Sequence, residues 1–419
     1  MIIKANSFIG MHTRIEKSFS FFIIILPFLY QFKSFTSTIS LGETALLPFI
    51  VYFFLIDIKK EKKEIDLKLL LFYISTILST AICMLFAYFR IADAATVFIR
   101  LVFYGLLINF AREHFNYKFA ETLYISLVFV FSIYLIIQYF YYYAVGGYLP
   151  IYLRYEWIFP PEARAKSLDF HFRFYYRSSS LFLEPSYFSL FSLPGFCILL
   201  LKNKKNLFEK CALLIVCSAL VLSTSSSAIA GIGIAMIIYT FKRTEQKEFK
   251  DMFIRFIVVL ITVSTVLIYI LVSENSATLV RRLQTGGSFN QRIGRGFILY
   301  RDMNLIHKLI GVGINNLEPY MNHYNLATPF DERNLNYSSS MMQTLTYSGI
   351  FGFAFLFNYF VGLKKKAKDN ITNALFWIVI FMLSYESILY SYRFGFLIIL
   401  LEANKNQKDD FIEQKDILA

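Results

Sequence analysis

The stretch AETLYISLVFVFSIYLIIQYFYYYA, residues 120–144, decides the fold class, because its only charged residue is Glu121. A helix rises about 1.5 Å per residue, so a run of this length is long enough to cross the roughly 30 Å hydrocarbon core of a bilayer. The 419-residue chain is 57% hydrophobic and 17% charged, whereas soluble domains are about 25% charged. This composition excludes a soluble fold and predicts an all-α, polytopic transmembrane helical bundle.

Further apolar runs lie on both sides of this stretch. Together with it they predict about 12 spans in a single integral membrane domain, residues 1–419, although the shortest runs also fit tilted or re-entrant pieces, so ten or eleven is an alternative. The runs are residues 18–36, 38–57, 69–89, 92–111, 183–201, 211–224, 226–241, 252–273, 340–362, 371–387 and 389–402.

Short basic segments separate pairs of these runs. Under the positive-inside rule they predict that all seven segments and both termini are cytoplasmic. Because the net charge of +13 is explained in this way, no nucleic-acid partner is expected. The segments are the N-terminal tail to Lys17, Lys59 to Lys68, Arg112 to Lys118, Lys202 to Lys210, Lys242 to Lys250, Lys364 to Lys368, and the tail from Lys405.

Two long connections, residues 146–180 and 274–338, are predicted to be external loops. Loops of this length in a compact protein are usually functional. The first is aromatic and proline-bearing, as is typical of a segment at the membrane interface. In the second, FNQRIGRGFILYRDMNLIHKLIG has apolar residues at helical spacing. These residues include Phe297, Leu305 and Leu309, and they predict a helix that rests on the bundle.

The two cations are distributed differently between the predicted sides. The seven basic segments contain 22 Lys and 3 Arg, whereas the rest of the chain contains 3 Lys and 14 Arg. Arginine binds phosphate or carboxylate through two parallel hydrogen bonds and keeps its charge in a partly dry site. The outer side therefore suits an anionic ligand. The alternative is that these arginines pair with lipid headgroups or with loop carboxylates such as Asp302.

The strongest local motif is Arg177-SSSLFL-Glu184-PSYF. Glu184 directly precedes Pro185, which favours the start of a helix, and the amides there would keep the carboxylate ionised. Desolvation acts in the opposite direction, and Arg177 offsets it. Such a carboxylate can act as a general base, or it can simply cap the helix.

Other charged residues extend the candidate site. Arg292 and Arg295 are three residues apart, so on a helix they would share a face and bind one diphosphate. Arg100 lies inside its span and needs a partner or a wet cavity. Glu43, Asp93, Glu386 and Arg393 are near outer span ends and could line that cavity or form structural ion pairs. The five histidines are scattered, so no metal site and no cofactor are expected.

The combination of spans and motifs resembles the Wzy-type O-antigen and capsular polysaccharide polymerases. It rests on Arg177-SSSLFLEPSYF, the Gly311-Val-Gly313-Ile-Asn-Asn turn, and Ser338 to Leu345 leading to Gly349-Ile-Phe-Gly352. The resemblance implies transfer of a growing glycan from undecaprenyl pyrophosphate to the next lipid-linked repeat unit, without metal or nucleotide. It implies the outer side of the bacterial cytoplasmic (inner) membrane, with membrane lipids and a chain-length-determining copolymerase as partners.

On this interpretation Glu184 accepts or orients the acceptor hydroxyl proton. The substrate-binding residues are Arg100, Arg173, Arg177, Arg292, Arg295 and Arg301. Two alternatives stay open: an O-antigen ligase that transfers glycan to lipid A core, and a transporter or flippase for an anionic lipid-linked substrate. The related ligases carry a histidine in the polar stretch that here reads Asn336-Tyr-Ser-Ser-Ser, and His323 lies upstream of it, which counts against a ligase.

Overall fold

The computed structural model describes residues 2–35, 39–57, 66–147, 149, 177–241, 290–326 and 338–403, except the side chains of residues 2–11, 93, 290 and 291. The described residues form helices and connecting turns, with one isolated β-bridge between Lys33 and Ser40. The all-α class is therefore confirmed. Arg173, the apolar run at residues 252–273, most of the first external loop and part of the second lie outside the described residues.

Eight helices are described in the first part of the chain. They are α1 (Ile2–Leu29), α2 (Leu41–Asp57), α3 (Leu67–Cys83), α4 (Ile91–His114), α5 (Tyr117–Val145), α6 (Pro185–Leu201), α7 (Leu207–Leu222) and α8 (Ser226–Thr240). A π-helical turn, Asn290–Gly294, leads into three short helices, α9 (Arg295–Asp302), α10 (Leu305–Ile310) and α11 (Leu317–His323). The chain then forms α12 (Ser340–Lys366), α13 (Asn370–Tyr385) and α14 (residues 392–403).

Three helical stretches of the described chain are long and apolar enough to cross a membrane. They are Ala94–His114, Tyr117–Val145 and Ser340–Lys366. Shorter apolar helices are Leu67–Cys83, Pro185–Leu201, Ser226–Thr240 and Asn370–Tyr385. This arrangement is compatible with a polytopic helical membrane protein, and the number of twelve spans stays a prediction.

Helix α6 lies at the centre of the bundle. All of its residues except Ser186 and Tyr187 are buried inside the protein, and it packs against α5, α7, α8 and α13. Pro185 occupies the first turn of α6, where a backbone N–H would have no partner within the helix, so the N–H that proline lacks costs no hydrogen bond. The N-terminal end of α6, which Glu184 directly precedes, is thereby held by the buried body of the helix.

The opposite end of the bundle gathers residues from several of the basic segments. Arg112 Nη2 lies 2.9 Å from Asp66 Oδ2, and Lys366 Nζ lies 4.0 Å from the same oxygen. Lys202, at the C-terminal end of α6, lies 2.7 Å from Glu209. Three of these segments therefore meet at one end, as the positive-inside rule requires, and the cytoplasmic orientation of that end stays a prediction.

Candidate functional site

Glu184 stands directly before α6, as the Glu-Pro motif predicts. Its backbone is extended, with φ −139° and ψ 146°, and its side chain makes no capping hydrogen bond. The Ser186 hydroxyl instead donates to Glu184 Oε2 at 3.2 Å. The expectation that helix amides hold this carboxylate is wrong in detail, because the side chain accepts from a hydroxyl rather than from the first-turn amides.

Arg177 is held by the connection between α7 and α8. Its Nη2 donates to the Thr224 carbonyl oxygen at 2.9 Å and its Nε to Thr224 Oγ1 at 3.2 Å. Desolvation lowers the pKa of Arg177 to about 10, with Glu184 opposing and Arg292 adding to the decrease. The guanidinium is still charged at neutral pH, and it lies within electrostatic reach of both residues.

Arg292 is joined to the last helices. Its guanidinium forms an ion pair with Glu386, and the two side chains are 12% and 5% exposed. The same group lies 4.9 Å from the centroid of the Tyr385 ring, and the Tyr385 hydroxyl is 2.8 Å from Ser226 Oγ. The neighbouring residues Tyr385 and Glu386 thus hold Arg292, and α8 in turn holds Tyr385.

Arg393 completes the group. Its guanidinium stacks over the Tyr187 ring at 3.8 Å from the centroid. Glu386 lies within electrostatic reach of Arg393 and of Glu184. We refer to Arg177, Glu184, Arg292, Glu386 and Arg393 as the Arg292 cluster. It holds three cations and two carboxylates, so it presents a net positive site for an anion together with a carboxylate able to accept a proton.

Arg100 forms a second group, which an aromatic pair connects to this cluster. Arg100 Nε lies 3.4 Å from Glu43 Oε1, and the Tyr104 hydroxyl donates to the same oxygen at 2.6 Å. The guanidinium is 5.9 Å from the Tyr30 ring, whose centroid is 4.1 Å from that of Tyr392. The partner expected for Arg100 is thus Glu43, a carboxylate in the first turn of α2.

The other predicted arginines are placed differently. Arg295 is 3% exposed at the start of α9, and the π-helical turn that contains Arg292 ends just before it. That Arg292 and Arg295 bind one diphosphate together stays a prediction. Arg301 Nε lies 2.8 Å from Asp302, and 65% of the Arg301 side chain is exposed.

The helix predicted between residues 289 and 311 is broken. Asn304 Oδ1 accepts from the His307 amide at 2.9 Å and starts α10 as a separate helix. The segment rests on the bundle as predicted, since α9 and α10 contact α12, but Phe297, Leu305 and Leu309 are 62%, 73% and 39% exposed. Leu299, Met303 and His307 are the buried residues instead.

The predicted Gly311-Val-Gly313 turn is confirmed, and it docks on a kink in α12. Gly311 and Gly313 have φ of +85° and +86°, and Gly349 inside α12 has φ +66°. The kink frees two carbonyls of α12, so Val312 N donates to Thr346 O at 2.9 Å and Gly313 N to Tyr347 O at 3.0 Å. This contact holds the segment that carries α9 to α11 against the bundle.

Several residues of the site give little signal in the sequence. Tyr187 and Tyr385 lie within apolar runs, where an aromatic residue is typical of the core. Thr224 belongs to a serine-rich turn, and its role depends on a left-handed backbone with φ +49°. Glu386 and Arg393 were expected near the outer ends of their spans, but no pattern pairs Glu386 with Arg292.

The fold and the Arg292 cluster together define the class of protein. It is a polytopic helical membrane protein with arginines and carboxylates gathered at one end of its bundle. Residues 211–357 match the family model Wzy_C, described as O-antigen ligase. The match confirms the resemblance to the Wzy and O-antigen ligase family, and it indicates a membrane enzyme of surface-polysaccharide biosynthesis. It covers Arg292 and the Gly311 turn, whereas Glu184 and Glu386 lie outside it. No curated protein matches the chain.

Proposed function

We propose that this protein polymerises undecaprenyl-pyrophosphate-linked oligosaccharide repeat units on the outer side of the bacterial cytoplasmic membrane. The observation that carries the proposal is the Arg292 cluster. Arg177 and Arg292 share it with Glu184, at the end of the bundle opposite to the basic segments. An activated lipid donor carries a diphosphate, and guanidinium groups are suited to bind it.

The arginines would act on the leaving group. As the acceptor oxygen bonds to the anomeric carbon, the bond from that carbon to the diphosphate breaks, and its electron pair stays on the lipid diphosphate. Arg177 and Arg292 would stabilise the charge that develops there, in the manner of an oxyanion hole. Arg292 is positioned beforehand by Glu386 and Tyr385, so little reorganisation is needed. In this proposal no metal or nucleotide takes part.

Glu184 would accept the proton of the acceptor hydroxyl. Its carboxylate is at the end of the central helix and accepts one hydrogen bond from Ser186, in the electrostatic field of Arg177. Glu386 is less suited to this role because it is 4% exposed and already paired with Arg292. Two lipid-tethered substrates held in register would supply further acceleration by proximity.

Glu184→Gln tests the proposal, because the amide keeps the shape and loses the basicity. In cells with normal membrane levels of the variant, surface glycans should be limited to single repeat units on electrophoresis. Glu318→Gln is the matched control, since Glu318 is an exposed carboxylate on α11, and it should keep the long ladders. Long ladders from Glu184→Gln would remove Glu184 from the mechanism.

An O-antigen ligase is the second candidate, and the description of the matching family model favours it. The same arginines would then hold the same donor, while lipid A core would be the acceptor. A deletion strain separates the two functions. Loss of a polymerase leaves one repeat unit on the core, whereas loss of a ligase leaves bare core.

A further inference from the structure

Two histidines and two carboxylates meet at the end of the bundle where the basic segments lie. His12 and Glu16 are one turn apart on α1, Asp57 ends α2 and His114 ends α4. Asp57 and His114 are each 2% exposed. The histidines are far apart in the sequence, so only the fold brings them together.

The spacing of three of these side chains is that of ligands around one ion. Glu16 Oε1 is 3.4 Å from His12 Nε2 and 3.5 Å from His114 Nδ1, and one donor atom from each residue lies within 4.8 Å of the others. Tetrahedral zinc with bonds of about 2.0–2.1 Å places its ligand atoms about 3.4 Å apart.

The remaining contacts orient the His114 ring for this role. Its Nε2 lies 3.3 and 3.4 Å from the two oxygens of Asp57, and its ring stacks on Phe53 at 4.0 Å between centroids and 7° between planes. A carboxylate at one ring nitrogen fixes the tautomer that leaves the other free to bind a metal. That other atom, His114 Nδ1, is buried and makes no hydrogen bond to any residue the structure describes.

We propose that His12, Glu16 and His114 bind a divalent zinc-class cation, with Asp57 as the positioning residue of His114. Two imidazoles and a carboxylate are the donors such an ion prefers, whereas magnesium and calcium take oxygen donors. The bound ion joins the middle of α1 to the C-terminal end of α4. Nearby, the amide of Asn116, the residue that caps α5, donates to Ser20 Oγ at 2.8 Å.

A competing arrangement lies at the other side of the same ring. Asp57, Glu113 and His114 also come close enough to share an ion. It offers only one imidazole, and Glu113 is exposed. The arrangement with His12 and Glu16 is therefore favoured, and the two make opposite predictions for Glu16 and Glu113.

The experiment uses the full-length protein in detergent, stripped with a chelator and titrated with zinc alone and with cobalt alone. We expect one tightly bound ion per chain, a cobalt spectrum with the strong visible bands of tetrahedral coordination, and a higher melting temperature with zinc. Glu16→Gln and His12→Ala should weaken binding at least tenfold and abolish those bands. His323→Ala, which removes an exposed imidazole on α11, is the matched control and should bind as the wild type does.

Asp57→Asn tests the positioning role, because loss of such a partner typically weakens metal binding about 10- to 100-fold. One ion per chain should still be reached at high cobalt, with shifted bands. Three results would overturn the proposal: a wild-type protein that takes up no more zinc than Glu16→Gln does, a six-coordinate cobalt spectrum, or binding that is lost in Glu113→Gln and kept in Glu16→Gln. The near-isosteric Gln and Asn variants keep the test valid if His12→Ala fails to fold.

Discussion

Arg292, in the π-helical turn before α9, forms its ion pair with Glu386, in the break between α13 and α14. The two backbones are tied at the same place, since the Ser339 amide donates to Arg292 O at 2.8 Å and the Ser340 amide to Glu386 O at 3.0 Å. An arginine of the predicted external segment is thus positioned by the helices of the bundle. This relationship makes the Arg292 cluster part of the folded core.

The Arg292–Glu386 pair should show strong coupling in stability. Removing one partner of a buried ion pair leaves the other charge uncompensated, which costs about 3–5 kcal/mol. Arg292→Met and Glu386→Gln should each lower the free energy of unfolding by roughly this amount, and the double variant by clearly less than their sum. Denaturant unfolding of the purified protein in detergent measures these free energies. Additive effects would show that the two side chains do not interact.

Arg292→Lys should show whether polymerisation needs only the positive charge of Arg292 or also the shape of its guanidinium group. Lysine keeps the positive charge but lacks the planar fork, so glycan ladders should fall at least about tenfold, which corresponds to about 1.4 kcal/mol of transition-state stabilisation. The control is Arg90→Lys, because Arg90 is exposed and contacts Asn316 through its backbone. Equal ladders from both variants would mean that a point charge is sufficient.

The joint between the Gly311 turn and α12 should not accept a methyl group. A Cβ at Gly311 would lie 2.2 Å from Tyr347 O, and one at Gly349 would lie 2.1 Å from Leu309 O, in addition to the positive φ at both. Gly311→Ala and Gly349→Ala should each destabilise by at least about 2 kcal/mol.

Gly233→Ala is the control for this joint. A Cβ at Gly233 meets nothing within 4 Å, and inside a helix alanine is favoured over glycine by about 1 kcal/mol. It should leave the melting temperature unchanged or raise it. A melting temperature of Gly311→Ala equal to that of Gly233→Ala would contradict the described backbone contact.

His307 should contribute to the acid sensitivity of the fold. Burial lowers the pKa of His307 below 6.5. Nδ1 lies 2.7 Å from Asn304 Oδ1, and Nε2 has no hydrogen-bond partner in the described chain. Because the pKa is lower in the folded state, the contribution of His307 to the free energy of unfolding is complete above about pH 6.5. It is lost as the pH falls toward the pKa of the folded state, by at most about 1.4 kcal/mol per pH unit.

Melting temperatures between pH 7.5 and 5.5 measure this contribution. His307→Gln should melt with a smaller dependence on pH than the wild type, whereas His323→Gln, at an exposed site on α11, should not change that dependence. Parallel pH profiles for wild type and His307→Gln would show that His307 does not titrate in this range.

The sequence predicts what depends on local or repeated patterns. Apolar runs predict the helical class, the Glu-Pro motif predicts where α6 begins, and the Gly311 and Gly313 pair predicts a turn. Each of these features depends only on residues that are close together in the chain, through their hydrophobicity, their backbone dihedral angles or the N–H that proline lacks. A single sequence is therefore enough to predict them.

Other features depend on contacts between distant segments. The pairing of Arg292 with Glu386, and the meeting of His12 with His114, arise only when helices pack. The helix expected from residue 289 fails for a local reason, since Asn304 offers a side-chain acceptor that starts a new helix. Its exposed Phe297 and Leu305 show that apolar periodicity indicates a face but not what that face contacts.

The kink at Gly349 constrains how this protein can move. Straightening α12 would reclaim the carbonyls of Thr346 and Tyr347 for the helix and would deprive Val312 and Gly313 of their acceptors. Such a swing would thus leave two amides without acceptors at once, and Ser79, which donates to Tyr347 O at 3.1 Å, opposes it as well. Any opening that admits a bulky lipid-linked sugar is therefore expected to use other joints, with this one acting as a fixed pivot.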